Sequence, residues 1–336
     1  MSMARAVTLR DVAEAAGVSV ATASKALNGR DDVGAETRRR VEEAAARLSF
    51  TPNALARNLA SGQTGTVGLL ASDLDGRFSI PILMGAEDAF GAERMSVLLC
   101  DAREDVIRER HHLSTLLARR VDGLIVVGSR TDPRPSIGRD LPVPVVYAYA
   151  PSADPQDVSI VPDNVGAGIM VVEHLLSLGR RRIAHIRGDV TYAAAHDRIA
   201  GITSTLGAAG LDLLPPHSFG SWSEAWGRAA ADAILAESPD VDAIICASDQ
   251  IARGALDTLR DRGVGVPDQV AVVSFDNWEI LALGSRPQLT SVDMDFEALG
   301  RLAAQRVFES IAGTTTPGVE SRPCRLVIRG SSVKGA

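Results

Sequence analysis

Aromatic residues are scarce in this chain: they make up 4% of its 336 residues, with three Trp and three Tyr. Cysteine is scarcer still. Cys100, Cys246 and Cys324 lie far apart without a CxxC pair, which argues against a disulfide framework or a thiolate metal site. They read as small buried residues in a reducing compartment. No uninterrupted apolar run approaches the ~18 residues a membrane span needs. The first residues, Met1 to Val7, run straight into a polar, periodic segment and lack the apolar centre of a secretion signal, so a cytoplasmic protein is expected. There is no excess of positive charge either: the net charge is −7, which excludes a chain that coats nucleic acid over its whole surface. Lysine occurs only as Lys25 and Lys334, an arginine bias that suits a GC-rich genome.

What remains is ordinary soluble material, 46% hydrophobic and 23% charged, and the length suits two or three domains. Its charge is unevenly spread. Residues 1–63 hold nine Arg/Lys against seven Asp/Glu, so a mildly basic head precedes an acidic body, and only the head is suited to meet phosphate. In that head Thr8 can cap a helix whose apolar positions Leu9, Val12, Ala13 and Ala16 follow helical spacing until Gly17 breaks it. Ser19 can cap a second short helix, Val20 to Leu27, with Ala23, Ala26 and Leu27 inward and Val20, Ala21, Ser24 and Lys25 mostly on the other face. A third helix is expected from about Ala35 to Leu48. Two short helices joined at a glycine turn have the shape of a helix-turn-helix, although helical spacing alone also allows a plain three-helix bundle.

The order of residues distinguishes the two. Val7-Thr8-Leu9-Arg10-Asp11-Val12-Ala13, Ala16-Gly17-Val18-Ser19, Thr22-Ala23-Ser24-Lys25-Ala26-Leu27-Asn28-Gly29, Glu36-Thr37-Arg38 and Pro52-Asn53-Ala54-Leu55-Ala56-Arg57-Asn58-Leu59 closely resemble the start of the lactose-repressor (LacI/GalR) family. The resemblance continues to about residue 330. It implies that Val20 and Ala21 read bases in the major groove beside Lys25, at a position usually held by arginine. It also implies that Thr22, Ser24 and Asn28 hold the DNA backbone, and Thr8, Ser19 and Asn53 complete the expected DNA-contacting set. Small apolar Val20 and Ala21 can touch thymine methyls but cannot make bidentate hydrogen bonds, so much of the polar reading falls to Lys25. Ala23 departs from the usual core valine, and Gly34 from the usual capping serine. Residues 52–63 match the family's hinge, a helix too short to be stable alone in water, in which Leu59 matches the leucine wedged into the minor groove. The expected layout is therefore a helix-turn-helix domain over 1–51, the hinge over 52–63, and an effector-binding and dimerisation domain over 64–336.

In the body, strands and helices alternate. Short β-rich runs are Thr66 to Ala71, Ser96 to Cys100, Gly123 to Val127 and Val143 to Tyr147. The pattern restarts with Arg182 to Arg187, His217 to Phe219, Ala243 to Cys246 and Val270 to Phe275. Such alternation gives parallel sheets covered by helices on both faces, and two sets suggest two subdomains around a cleft. The resemblance implies an α/β body like that of periplasmic sugar-binding proteins, with two doubly wound parallel-sheet subdomains and about three crossings between them. Subdomain one takes about 64–162 and 293–320, subdomain two about 163–292 and 321–330.

Ligands of open α/β sheets sit beyond the carboxyl ends of strands. Those ends carry Asp73 to Ser79, Asp101, Ser129-Arg130, Tyr149, Ser248-Asp249 and Asp276-Asn277-Trp278. By resemblance, Asp73, Phe78 and Ser79 belong to the first ligand loop, Arg198 is the ligand-binding arginine, and Trp222 forms an aromatic wall. Ser248 takes a place usually held by asparagine, and Asp276 accepts from ligand hydroxyls, while Asp249 reads as a helix cap. Trp222 and Trp278 fall on cleft loops, whereas Trp226, a turn into a helix, reads as core. Flat rings beside carboxylates and an arginine suit a carbohydrate, and a nucleobase can use the same rings. Arg77 and Pro81 break the usual first-loop pattern, and Tyr149 stands where many members have aspartate.

Enzyme readings find little support: there is no GxSxG, HExxH or GxxxxGK. Val165-Gly166-Ala167-Gly168 opens like a dinucleotide fingerprint but has Val171 in place of the third glycine. His111-His112 lacks further ligands at metal spacing. A sugar-binding module for transport would need an export signal and no helix-turn-helix. The expectation is a non-enzymatic regulator without cofactor or metal. Its partners are double-stranded operator DNA, a carbohydrate effector and a second copy of itself. The absence of a heptad tail after Lys334 favours a dimer.

Overall fold

The computed structural model of the protein describes residues 7–27, 32–50, 63–72, 74, 77–92 and 95–335. Asn28, Asn53, Leu59 and Asp73, and the hinge segment 52–62, lie outside the described residues. Contacts divide the chain into two units, Met1–Thr64 and Gly65–Ala336.

In the first unit three helices, α1 (Leu9–Ala16), α2 (Val20–Leu27) and α3 (Ala35–Arg47), surround a small core of Val12, Ala13, Ala23, Ala26, Val41 and Ala44. Thr8 closes a capping box with Asp11 at the start of α1. Gly17 ends that helix in the left-handed conformation, φ 65°, which an L side chain resists. Ser19 Oγ accepts from the Thr22 N–H at 3.0 Å and starts α2, so the turn between the two helices is capped on both sides. Arg40 of α3 donates to the Ala16 carbonyl at 3.0 Å and satisfies an orphan acceptor at the end of α1.

The second unit contains two sheets. The first has the order β10-β5-β4-β3-β1-β2, from β1 (Thr66–Ala71), β2 (Ser96–Asp101), β3 (Gly123–Val127), β4 (Val145–Ala148), β5 (Val158–Pro162) and β10 (Gly318–Arg322), with every pairing parallel. The second has the order β11-β9-β8-β7-β6, from β6 (Ile183–Ile186), β7 (Ala243–Cys246), β8 (Ala271–Phe275), β9 (Thr290–Asp293) and β11 (Arg325–Val327), the last antiparallel. Strands such as β3 and β8 are buried along their whole length, as parallel strands covered on both faces must be. The chain changes sheet after Pro162, after Asp293 and after Arg322.

Helices Ser79–Ala92 and Phe296–Ile311 cover one face of the first sheet, and Val106–Ala118 covers the other. On the second sheet Asn164–Ser177 pairs with Ala193–Ala208, and Glu224–Glu237 with Asp249–Asp261. Gly168 is needed in the first of these pairs because a Cβ there would meet the Arg198 carbonyl at 2.5 Å. The glycine that imitates a dinucleotide fingerprint thus serves helix packing.

The expected strand His217 to Phe219 does not form. Pro215 and Pro216 precede it and have no N–H to donate to a ladder, and only Leu214 makes an isolated bridge, to Ala184. The sequence reading missed β5, β9, β10 and β11, each three to five residues long.

Candidate functional site

On the head, Val20 (43% exposed), Ala21 and Lys25 project from one side of α2 to solvent, while Ala23 and Ala26 are buried beneath. Thr22 and Ser19 bond one another through their hydroxyls at 2.8 Å. Lys25 ion-pairs with Asp32, both ends about half exposed. An exposed pair of this kind is worth little, ~0–1 kcal/mol, so it opposes a competing partner only weakly.

In the second unit the strand ends converge on a cleft between the two sheets. Phe78, just before the helix Ser79–Ala92, packs against Tyr149 (ring centroids 5.2 Å) and Phe296 (5.0 Å). Tyr149 follows β4 with φ 72°, and burial pushes its phenol well above the usual range. Ser79 is buried at the start of its helix. Across the cleft Asp276 follows β8 with φ 98° and is 8% exposed. It meets Arg198 at 3.4 Å; Arg198 is itself held by Asn164 Oδ1 at 2.9 Å and by the Ala247 carbonyl, over the Phe275 ring. A buried cation bonded through all three of its nitrogens is a fixed point of the cleft.

Trp222 lies over Gly188, where a Cβ would meet its ring at 2.2 Å, and edge-on to Tyr192 at 5.5 Å. Its buried Nε1 has no hydrogen-bond partner among the described residues. The ring partner of Trp222 is thus Tyr192, while Phe78 and Phe296 gather around Tyr149, so these rings fall into two groups. Trp226 packs on the core and donates from Nε1 to the Arg187 carbonyl at 2.8 Å. Arg77, Phe78, Asp276, Trp278 and Phe296 line a cavity of about 400 Å³. Arg130 over Tyr192 (4.5 Å) and Ala193 N–H to Asp132 (3.1 Å) tie the cleft walls further along.

The helix cap expected of Asp249 is supplied by its neighbour Ser248. Ser248 is the N-cap of the helix Asp249–Asp261, accepting from Ile251 N–H at 3.3 Å, and is fully buried. Asp249, also fully buried, accepts from Ser274 Oγ (2.5 Å), Ser291 Oγ (2.6 Å) and the Trp278 N–H (2.6 Å). It thereby ties β8, β9 and the loop carrying Asp276 and Trp278 to one helix start. Sequence reasoning also missed Asn164, Tyr192 and Gly188, whose partners are far away along the chain.

Desolvation, and then the charge of Asp276, push the Asp249 carboxyl up to about 7, against the three donors that favour its ionised form. An acid raised in the folded state costs stability as pH rises from its unfolded value, ~3.9, towards the folded one. The protein is therefore expected to gain thermal stability from this group between about pH 7.5 and pH 5. The gain should shrink in Asp249→Asn; an undiminished gain in thermal melts would place its source elsewhere.

Two family profiles match the chain: bacterial regulatory proteins, lacI family, over residues 8–53, and the periplasmic binding protein-like domain over residues 172–332. The HTH-type transcriptional regulator CelR of Thermobifida fusca is 35% identical over 98% of this chain and 97% of its own length. This chain belongs to the lacI family of bacterial regulatory proteins. Catabolite control protein A of Priestia megaterium is 31% identical over 97% of this chain and 99% of its own. Among solved structures, the Lac repressor dimer bound to operator and the anti-inducer ONPF matches with a TM-score of 0.74 and 29% identity, over 98% of this chain and all of that one. The CelR–cellobiose complex matches at 0.64 and 31%, over 97% of this chain and all of that one. The lacI-family chain is thus a DNA-binding transcriptional regulator and not an enzyme, with a helix-turn-helix head and a periplasmic-binding-protein-like body. Among the described residues no helix is long and apolar enough to cross a membrane.

Proposed function

We propose that this regulator is a homodimeric repressor of carbohydrate-utilisation genes, released from a near-palindromic operator by a sugar. The observation that carries the sugar reading is the buried Arg198–Asp276 pair facing an aromatic cluster across the cleft. A fixed donor and a buried acceptor can hydrogen-bond a hydroxyl-rich edge while Tyr149, Phe78 and Trp278 cover apolar sugar faces. Trp222, with an N–H to donate, forms a further wall, and Ser79, Ser248 and Asp73 complete the proposed set. Relatives support the partners: CelR is known in complex with cellobiose, and the Lac repressor as a dimer bound to operator. Sugar binding acts on DNA through its differential affinity for two subdomain arrangements. A thermal-shift screen of sugars, cellobiose included, followed by operator release with each hit, tests this reading; stabilisation by nucleobases alone would replace it.

Each head reads one half-site through Val20, Ala21 and Lys25, with Thr8, Ser19, Thr22, Ser24, Asn28 and Asn53 on the backbone, and the hinge inserts Leu59 at the centre. Leu59→Ala is expected to lower operator affinity by about 1–3 kcal/mol. Affinity for random DNA, dominated by phosphate contacts, should hardly change. Equal losses on both, measured by fluorescence anisotropy, would remove the wedge role.

A further inference from the structure

Arg77 belongs to the first subdomain, six residues beyond β1, yet its guanidinium partners belong to the second. It ion-pairs with Asp276 Oδ2, donates to Gln250 Oε1 at 3.4 Å and lies 4.8 Å from the Trp278 ring centre. Its other flank rests on the ring of Phe78 at 4.7 Å. With Arg198 on Oδ1, both oxygens of Asp276 are held by arginines. The two cations differ in how they are anchored. Arg198 is fixed by Asn164 and Ala247 within its own subdomain. Arg77 keeps 19% of its side chain exposed, and its Nε has no hydrogen-bond partner among the described residues. Arg77 is therefore the cation that can leave.

We propose that Arg77 is a specificity-determining strap. It spans the cleft to Asp276 and competes there with the effector, so that only a ligand offering adjacent hydroxyls, two donors in place of the guanidinium, displaces it. The inference rests on the reading of Asp276 as effector acceptor. A protein whose binding-competent state is only partly populated shows an affinity reduced by that fraction, and removing the competitor restores it. In Arg77→Ala, cellobiose should accordingly bind about fivefold tighter or more. Arg77→Lys, which keeps the charge but loses the planar stack, should fall between the two.

Two experiments separate the strap from the sugar reading. Titration calorimetry with cellobiose on the parent, Arg77→Ala and Asp276→Ala reads the competition. Tighter binding in Arg77→Ala supports it; a loss like that of Asp276→Ala overturns it, because Arg77 is then a ligand contact. Acrylamide quenching of tryptophan fluorescence, without sugar, reads the strap itself. Quenching should rise in Arg77→Ala, and the rise should vanish in a Trp278→Phe background. Unchanged quenching overturns the strap whatever cellobiose does. Increased quenching in a protein that binds no cellobiose keeps the strap and removes the sugar reading of the site.

Discussion

Replacing Asp276 or Arg198 with Ala is expected to weaken effector binding roughly tenfold or more, since each buried polar group left unpaired costs about 1–3 kcal/mol. The two side chains come from separate segments, the end of β8 and the helix Ala193–Ala208, and meet at 3.4 Å with almost no exposure. Arg198→Ala also strips the donor from Asn164 and from the Ala247 carbonyl. Removing one partner of a buried pair costs about 3–5 kcal/mol of stability, so this variant will melt earlier as well as bind less. Asp276→Asn keeps the shape and an acceptor oxygen, and separates loss of charge from loss of fold. Calorimetry with the sugar hit, together with operator binding measured without sugar, gives the decisive comparison. Effector affinity equal to the parent's in both variants would mean that the site lies elsewhere, and binding of nucleobases or amino acids alone would end the carbohydrate claim.

Lys25→Ala is expected to remove most of the discrimination between operator and scrambled DNA. Among the proposed base readers Val20 and Ala21 offer only apolar contact, and Lys25 carries the one charged donor. A good base contact is worth about 1–3 kcal/mol of discrimination, roughly 5- to 150-fold. The head should stay folded, because Lys25 is exposed and its partner Asp32 is equally exposed, while the core of Val12, Ala23 and Val41 does not involve it. A phosphate contact would behave differently, weakening every sequence alike and reducing the salt slope by about one. Binding to operator and scrambled DNA across a salt series tells the two apart, and an unchanged ratio would take base reading away from Lys25.

How much of this was legible along the chain follows the range of the forces involved. Helices α1 and α2 were readable to the residue because their signals are local: the Thr8 box, the left-handed Gly17 and the Ser19 cap act within four positions. Strands β1, β3 and β7 were equally plain, since a strand buried on both faces must be apolar throughout. The later strands β9, β10 and β11 are short and partly polar, and only pairing with distant neighbours makes them strands. The tertiary structure alone decided what each cleft residue touches. Arg77 and Asp276 lie 199 positions apart, and nothing local marks them as a pair. Ser248 and Asp249 are neighbours with interchangeable capping chemistry, and which one capped the helix depended on where Ser274, Ser291 and Trp278 stood. Local hydrogen bonds and burial periodicity are written in the order of residues. Ion pairs across a cleft depend on how two sheets fold back on each other, and the chain order does not record that.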